Sequence, residues 1–440
     1  MAVTDNSARI GSSLALEPYP SPPAEARVRA LIMGDDQGEV QVLVPETALL
    51  DVAVLRAFTR RALRARPYVA ENPTAAIPGA YALPVVIDES LIQGRKLALA
   101  TEESHRYVAI DGQSLMRAHY QVQVARFAEP LADMPADRDR STDLDRIGSV
   151  VSRFTQLRMQ QRLDQTLHIP PLPEAARRII ALQSNPNYDL ADLVAIIETD
   201  PSIAARIMGW ANSAFYNPNP PANSIGDAVM RVLGFDTVLS MALGMALGQS
   251  LRLPAAEVRG LPGFWLEAIV TAATMEALAR QMPAAGRPEP GMCYLCGLLA
   301  GFGTLVLGHV FPHQHESICL LQEANRHLAR AHADLHVLGL PREVLASALL
   351  ETWELPDAVS DAVRFQQQPG YDGSNATYVR LLQLSRKLLG GLGLSDAPPD
   401  GPSETDLVAL SLDSEALQRV TRKLVESRDA LDGLAGSLKG

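Results

Sequence analysis

The pattern of apolar and polar positions differs between the two halves of the chain. Over residues 27–45, two apolar runs flank a polar Asp-Asp-Gln-Gly turn, which predicts a pair of short strands. Apolar positions at helical spacing follow over residues 49–66, and residues 82–119 contain further strand patterns with polar turns and one short helix. This alternation predicts an α+β domain, a mixed sheet with helices, over residues 26–128.

The second half lacks strand patterns. From residue 167 to residue 393, helical segments alternate with short turn sequences, which predicts an all-α domain. Asp189 and Asp200 are predicted to begin two of these helices, because an N-cap carboxylate accepts hydrogen bonds from the first helical amides.

Three further segments complete the predicted organisation. Residues 1–25 are polar and proline-rich, and we expect them to form a disordered lead. Residues 129–166 comprise a polar linker and a connecting helix with apolar positions at helical spacing from Ile147 to Leu157. Residues 394–440 begin with a second polar linker and end with amphipathic helices.

Composition limits the class of protein. The chain has 440 residues, of which 47% are hydrophobic and 5% aromatic, and its formal net charge is −11. These values exclude a wholly disordered or collagen-like protein and argue against a broad, sequence-independent grip on nucleic acid. Three cysteines are too few for a disulfide scaffold and fit a reducing cytosol, so we expect a cytoplasmic protein.

One charge-free stretch, residues 291–308, approaches the length of a membrane span. It contains five glycines and lacks flanking clusters of Lys or Arg. The N-terminus has no apolar stretch of signal-peptide length. We therefore predict a buried pair of core helices and no interaction with a membrane.

Residues 169–247 carry a specific set of motifs. The set comprises a Pro-Leu-Pro start, the Asp200-Pro201 pair, the run WANSAFY from Trp210 to Tyr216, and Gly234-Phe235. With the later segments YLCGLLAGFGTLVLGHVFP and ALLETWELPDAVSDAVRFQQQP, about half of the chain resembles the HDOD (HD-related output) domain. The resemblance implies an all-helical relative of the HD phosphohydrolases that lacks their chemistry.

The metal-binding positions of the HD enzymes can be compared with this chain one at a time. Those enzymes hold metals through histidines and an adjacent His-Asp pair, and the metal activates a water toward a phosphate ester. The corresponding positions here are Glu267, Ala300-Gly301, Arg342 and Gln366-Gln367. Ala and Gly supply no ligand and Arg repels a dication, so the resemblance implies a remnant cleft without metal, cofactor or hydrolysis.

Histidines and cysteines offer two alternative sites. His309/His313 and His332/His336 are each spaced i, i+4, which places two imidazoles on one helix face, but neither pair encloses the Glu of a zinc protease. A single CxxC begins at Cys293 in an apolar run. We favour solvated surface histidines and buried core thiols, and a metal or redox role is the alternative.

Residues 27–120 resemble the YbaK/prolyl-tRNA editing family of aminoacyl-tRNA deacylases. The resemblance rests on ALIMGDDQGEVQVLVP, LLDVAVLRAF and IPGAYALPVVIDESLI. It implies binding of the aminoacyl-adenosine end of a mischarged tRNA and ester hydrolysis assisted by a lysine and a glycine-rich loop. Arg29 stands at the lysine position, and the loop is shortened around Pro78 and Gly79. Because arginine stays protonated and fewer amides remain to hold an oxyanion, we predict a degenerate editing fold retained as a binding or docking module.

Arginines are concentrated after the first predicted strand pair. Arg56, Arg60 and Arg64 are predicted to share one helix face, where they are candidates for contacts with tRNA phosphates. A solvated face paired with acidic neighbours is the alternative. Asp88 and Glu89 are further polar candidates, with a structural role as the alternative.

Together these features favour a non-catalytic signal-transduction or regulatory protein. In this hypothesis, the helical domain has no metal site and presents a surface to a protein partner in a signalling pathway. The N-terminal domain serves as a sensor or docking module. The alternative is an aminoacyl-tRNA deacylase in which Arg29 assists. A third hypothesis is a small nucleotide bound in the remnant cleft near Glu267, Arg342 and Gln366.

Overall fold

The computed structural model describes residues 17–66, 83–94, 96–100, 106–119, 121–131, 142–160, 171–183, 189–248, 251 and 254–437. The chain divides into two compact units. The sheet unit comprises Met1–Asp133, Val258–Gly260 and Ser317–Leu328, and the helical unit comprises Met134–Glu257, Leu261–Glu316 and Ala329–Gly440. The segment Ser317–Leu328 thus belongs to the sheet unit, although it lies within the sequence range predicted for the all-α domain.

The strands of the sheet unit are β1 (Glu17–Pro18), β2 (Arg27–Asp35), β3 (Gly38–Pro45), β4 (Ala48–Leu50), β5 (Arg64–Ala65), β6 (Val85–Asp88), β7 (Lys96–Ala100), β8 (Tyr107–Asp111), β9 (Val122–Ala125) and β10 (Ala128–Pro130). Among the described residues they form an eight-stranded sheet of order β1-β8-β7-β2-β3-β6-β9, with β5 paired to β2, and a two-stranded sheet of β4 and β10. β2/β3 and β7/β8 are antiparallel, whereas β2/β7, β3/β6 and β6/β9 are parallel. The mixed sheet confirms the predicted α+β class.

The predicted strand pair is present as β2 and β3. Its turn is stabilised because the Asp35 carboxylate accepts a hydrogen bond from the Gln37 amide at 2.9 Å, and Gly38 has a φ of 116°, which favours glycine. Alternate apolar positions of the strands bury a common cluster that includes Val28, Leu43, Ile87, Leu97, Leu99 and Ile110. The strand β1 shows that the predicted disordered lead is wrong for its last residues, and residues 1–16 lie outside the described residues.

Among the described residues, two α-helices lie between strands in sequence, α1 (Val52–Thr59) and α2 (Gly112–Ala118), and Ala24–Ala26 and Glu89–Leu91 form short 3-10 helices. Asp51 caps α1 by accepting hydrogen bonds from two amides of its first turn. The helix predicted over residues 49–66 is wrong beyond Thr59, because Arg60 adopts a left-handed conformation with a φ of 55° and Arg64 lies in β5. The three candidate arginines of this region therefore do not share a helix face.

The remaining helices are α3 (Asp143–Gln160), α4 (Glu174–Gln183), α5 (Leu190–Glu198), α6 (Pro201–Ala211), α7 (Phe235–Gly248), α8 (Phe264–Gln281), α9 (Pro290–Leu299), α10 (Phe302–Val310), α11 (Pro312–Ala324), α12 (Ala331–Leu338), α13 (Arg342–Thr352), α14 (Asp357–Phe365), α15 (Ala376–Gly391), α16 (Glu404–Val408), α17 (Ser414–Glu426) and α18 (Arg428–Ser437). A short helix, Ile225–Asp227, and a π-helical segment, Ala228–Leu233, precede α7. Asp189 and Asp200 cap α5 and α6 as predicted. The all-α prediction is confirmed for this part of the fold.

The apolar stretch of residues 291–308 forms parts of α9 and α10, which are separated at Ala300-Gly301. In the described part of the chain, Pro290–Val310 is long and apolar enough to cross a membrane by length and composition alone, and most of it is buried. Its glycines permit close packing, since a Cβ on Gly297 would lie 2.6 Å from the Cα of Ala272 in α8. This arrangement agrees with the predicted pair of buried core helices.

The connecting helix α3 packs within the helical unit. Arg364 in α14 donates hydrogen bonds to the carboxylate of Asp143 at 2.6 and 2.9 Å, and both side chains are buried. Phe154 packs on Phe311 with the ring centroids 5.5 Å apart. The polar linker before α3 falls largely outside the described residues.

Candidate functional site

A buried arginine joins two of the remnant-cleft positions. Arg330 directly precedes α12, and its side chain is 2% exposed. Its Nε donates to Glu343 Oε1 at 2.9 Å and its Nη1 to Asp396 Oδ2 at 3.0 Å. Its Nη2 donates to Gln366 Oε1 at 3.1 Å and to the carbonyl oxygen of Ala300 at 3.4 Å. The guanidinium thus contacts two acidic side chains and two predicted remnant-cleft positions.

Gln366 connects the two cleft positions directly. Its Nε2 donates to the carbonyl oxygens of Ala300 at 2.9 Å and Val363 at 3.0 Å, while its Oε1 accepts from Arg330. A side-chain amide can serve as donor and acceptor at once, which a carboxylate ligand could not do here. Both polar atoms of this amide are therefore engaged inside the protein.

A second arginine extends the contacts to Glu267. Arg386 in α15 donates from Nη1 to Glu267 Oε1 at 3.3 Å and from Nη2 to Asp396 Oδ1. The backbone amide of Asp396 also donates to Glu267 Oε1 at 3.4 Å. We call the connected set the arginine network: Glu267, Arg330, Glu343, Gln366, Arg386 and Asp396.

Burial and charge oppose each other in the arginine network. Burial disfavours the charge of Asp396, but Arg330 and Arg386 hold its pKa well below its usual range. Burial also disfavours the charge of Arg330, yet the surrounding carboxylates raise its pKa above the usual value. Burial, followed by the charge of Asp396, raises the pKa of Glu267 from 4.5 to about 7. The network therefore holds Arg330 and Asp396 charged, whereas the pKa of Glu267 lies near neutral pH.

The residues at this site do not fit a divalent metal. Ala300 and Gly301 supply no side-chain donor, and the Arg330 guanidinium places a positive charge among the nearby carboxylates. Within the described ranges, no group of three or more His, Cys, Asp or Glu side chains is arranged to hold a metal ion. Ala300 and Gly301 therefore contribute no metal ligand, and the nearest carboxylates are paired with arginine.

The other remnant-cleft positions have surroundings of their own. Arg342 is held by Asp334, whose carboxylate accepts from Nε at 2.8 Å and from Nη2 at 2.7 Å. Gly301 lies against Phe264, and a Cβ there would come within 3.2 Å of the ring. Gln367 is half-buried. The arginine network thus includes Glu267 and Gln366 and contacts the carbonyl oxygen of Ala300, whereas Gly301, Arg342 and Gln367 are not members of it.

The alternative histidine and cysteine sites differ from the patterns in the sequence. His309 lies in α10 and His313 in α11, so the predicted single helix face is wrong for this pair, whereas the other pair shares α12. Cys293 and Cys296 are buried free thiols. Burial raises the pKa of both thiols, which favours their neutral form over the reactive thiolate.

In the sheet unit, Arg29 of β2 contacts the C-terminal end of α11. Its Nη2 donates to the carbonyl oxygen of Ala324 at 2.7 Å and to Asn325 Oδ1 at 3.3 Å. Burial lowers the pKa of Arg29 to about 9, and the carboxylate of Glu46 opposes this effect. The position at which the editing resemblance expects a lysine therefore binds a carbonyl oxygen of the same chain.

The other candidate arginines take different positions. Arg56 donates from Nε to the carbonyl oxygen of Leu63 at 2.7 Å, and Arg60 is exposed. Arg64 pairs with Glu323, donating from Nη2 at 2.5 Å and from Nε at 3.2 Å. Pro78 and Gly79 lie outside the described residues. Two of the three arginines are thus hydrogen-bonded within the sheet unit.

Comparison with known proteins identifies the helical half. The family model of the HDOD domain matches residues 169–369. A crystal structure of a protein from Marinobacter aquaeolei VT8, provisionally named a signal transduction protein, superposes with a TM-score of 0.87 at 32% sequence identity, covering 99% of each chain. The chain belongs to the HDOD family.

Two other proteins resemble the HDOD protein over a smaller part of its chain. An uncharacterised protein of Treponema pallidum is 26% identical over 202 residues, which are 46% of this chain and 38% of the relative. The HDOD protein thus spans less than half the length of this curated relative. A structure provisionally named a trans-editing enzyme for prolyl-tRNA synthetase covers 28% of the HDOD protein at 17% identity, with a TM-score of 0.24. The editing resemblance remains a prediction.

Sequence reasoning missed most of the side chains that surround Gln366 in the HDOD domain. One signal was present for Arg386, which follows Leu382 by four residues and precedes Leu389 by three, so the three side chains share a helix face. Both leucines are buried, and a buried arginine requires acidic partners. Arg330 has no comparable local signal, because it lies ahead of its helix.

Proposed function

We propose that this HDOD protein acts in signal transduction through interaction with a protein partner and that its helical unit does not hydrolyse phosphate esters. The observation that carries the proposal is the contact of Arg330 with Gln366 and Ala300, at positions where HD enzymes bind metal. The full-length likeness to the protein provisionally named for signal transduction supports the regulatory role. In this proposal the protein is cytoplasmic, and the sheet unit serves as a sensor or docking module.

A phosphatase assay tests the absence of hydrolysis. The purified full chain is loaded separately with Mn²⁺, Fe²⁺ and Mg²⁺ and incubated with bis(p-nitrophenyl) phosphate and a panel of cyclic dinucleotides. We expect the same turnover with metal and with EDTA. Turnover that requires one metal, disappears with EDTA and is lost in Glu267→Ala would contradict the proposal.

A crosslinking experiment tests the interaction role. The full chain is crosslinked in its native cells, and crosslinked peptides are identified by mass spectrometry. We expect a recurrent protein partner that crosslinks to the helical unit and binds again when both proteins are purified. If the purified partner does not bind the purified protein, the proposal that the helical unit interacts directly with a partner is contradicted.

Aminoacyl-tRNA deacylation is the second candidate function. It is favoured by one observation, the donation from Arg29 to a carbonyl oxygen, since an ester carbonyl of an acylated RNA presents the same acceptor. The test compares hydrolysis of mischarged tRNAs by the wild type, Arg29→Ala and the control Arg66→Ala, whose partner is Glu39. Hydrolysis that is lost only in Arg29→Ala supports this candidate, and equal background rates in all three proteins remove it.

A further inference from the structure

The segment Ser317–Leu328 occupies the surface of the sheet unit that carries Arg29. The segment lies within the residues matched to the HDOD domain, yet it groups with the sheet unit. It contains the end of α11 and the residues that follow this helix. We call the residues that contact this segment the Arg29 surface: Arg29, Glu46, Leu50, Arg64 and Arg259.

The first kind of contact involves the main chain. Carbonyl groups in the last turn of a helix lack partners within the helix, and a nearby cation is favourable. Arg29 donates to such a carbonyl oxygen, that of Ala324, at 2.7 Å. Asn325 then accepts from the Leu50 amide at 2.8 Å and donates to the Leu50 carbonyl oxygen at 3.0 Å. Its side-chain amide thus pairs with β4 as the peptide group of an added strand would.

The second kind of contact involves charge. Glu323 has a side chain that is 3% exposed, and it binds the guanidinium of Arg64 through both oxygens. It also accepts from the backbone amide of Arg259 at 3.0 Å and from its Nε at 3.2 Å. A carboxylate between two guanidinium groups is specific, because a neutral residue would leave both without their anionic partner.

A third contact extends the match beyond Asn325. His327 Nε2 lies 3.0 Å from the carbonyl oxygen of Glu46, which immediately follows β3. The three contacts at Glu323, Asn325 and His327 involve alternate residues of the segment. Glu323 lies in the last turn of α11, and Asn325 and His327 lie in the turn that follows, so the helix end and the turn together present the three side chains to different partners.

We propose that the Arg29 surface is a peptide-recognition site, that its ligand is this chain's own sequence Glu323-Ala324-Asn325-Arg326-His327, and that it does not take the acylated end of an RNA. The inference rests on the docking role proposed above and names the docked partner. Because Arg29 donates to the main chain of the segment, an RNA carbonyl could take that hydrogen bond only after the segment had left.

Hydrogen–deuterium exchange on the full chain tests whether the segment is held by these side chains. In Asn325→Ala, we expect exchange of the Leu50 amide and of residues 317–328 to be about tenfold faster, since two hydrogen bonds to Leu50 are lost. Arg29→Ala is expected to accelerate residues 317–328 as well. The control Arg66→Ala removes a surface ion pair with Glu39 and is expected to leave these rates unchanged. Unchanged exchange in both Asn325→Ala and Arg29→Ala would overturn the proposal.

A binding measurement distinguishes peptide from RNA. The full-length double variant Glu323→Gln/Asn325→Ala is titrated with a fluorescent peptide of residues 317–328 and with an aminoacylated tRNA acceptor-stem RNA. In the wild type the tethered segment competes at high effective concentration, so we expect the peptide to bind the variant at least about tenfold more tightly. RNA binding that depends on Arg29, with no peptide binding, would overturn the proposal.

The conservative variant Arg64→Lys tests the proposal even if the double variant does not fold. If the double variant lacks the circular dichroism spectrum of the wild type, Arg64→Lys keeps the charge but loses the bidentate contact, and faster exchange confined to residues 317–328 is expected. Unchanged exchange in Arg64→Lys contradicts the proposal. A metal-dependent phosphatase activity would defeat the proposed function without altering any of these exchange rates, so the two failures are distinguishable.

Discussion

The guanidinium of Arg330 binds the side chain of Gln366, with Nη2 and Oε1 3.1 Å apart. The same nitrogen reaches the carbonyl oxygen of Ala300 at 3.4 Å, so one cation contacts two positions that the resemblance to the HD enzymes predicts as counterparts of metal ligands. The arginine supplies the positive charge that pairs with Glu343 and Asp396. Unlike a metal ion, a guanidinium has no coordination position that a water or a substrate could occupy. The HDOD core of this protein thus contains a buried cluster of paired charges around Arg330.

Replacement of Arg330 is expected to destabilise the helical unit. Arg330→Met leaves the carboxylates of Glu343 and Asp396 buried without their shared cation, and the expected loss in the free energy of unfolding is about 3–5 kcal/mol. Urea denaturation measures it. The control Arg177→Met removes an exposed pair with Glu174 and is expected to cost less than about 1 kcal/mol. Equal losses in the two variants would show that the buried contacts of Arg330 contribute little.

Glu267 is expected to make stability depend on pH. Because burial raises its pKa from 4.5 to about 7, the folded chain keeps a proton that the unfolded chain has already released. The unfolded state thus binds fewer protons between these values, so the free energy of unfolding falls as the pH rises through this window.

The variant Glu267→Gln removes this titration. Relative to the wild type, it is expected to gain up to about 3 kcal/mol as the pH rises from about 4.5 to about 8. Denaturation curves of the variant and the wild type over this range measure the difference. A constant difference between Glu267→Gln and the wild type at every pH would disprove the raised pKa.

Close packing of α8 and α9 depends on Gly297. A Cβ there would lie 2.6 Å from the Cα and 2.8 Å from the backbone nitrogen of Ala272, and backbone atoms cannot move aside cheaply. Gly297→Ala is therefore expected to lower the free energy of unfolding by about 1–3 kcal/mol. Gly148 in α3 has no neighbouring atom within 4 Å of the place that an added Cβ would take, so Gly148→Ala is expected to stabilise by about 0.5–1 kcal/mol. A thermal melt in which both variants shift in the same direction contradicts this explanation.

Asp88 has a structural role in the sheet unit. It is 1% exposed, and its carboxylate accepts from the amides of Phe127 at 2.8 Å, Ala128 at 2.7 Å and Ser90 at 2.9 Å. Asp88→Ala leaves these donors without an acceptor and is expected to cost about 2–4 kcal/mol. The neighbouring Glu89→Ala, at an exposed position, is expected to change stability by less than about 0.5 kcal/mol. Equal melting temperatures for the two variants would refute the structural role.

Local sequence patterns correctly predicted the elements that are stabilised by interactions between residues close in sequence. The strand pair around the Asp35 turn and the helix starts at Asp189 and Asp200 appear in the structure, because turn and cap hydrogen bonds join residues only a few positions apart. The same reasoning failed at Arg60. Its helical spacing continues that of Arg56, but the left-handed backbone at Arg60 ends the helix.

The amino-acid sequence by itself determined the α+β and all-α classes of the two halves and the absence of ligating side chains at Ala300 and Gly301, since residue identity decides whether a donor exists. Only the tertiary structure decided which side chains surround these two positions. Arg330 and Asp396 are 66 residues apart, and Arg29 and Asn325 are 296 apart, so no local pattern relates them. Burial makes these distant pairs necessary, because a buried charge or carbonyl is stable only with a partner that the fold brings to it.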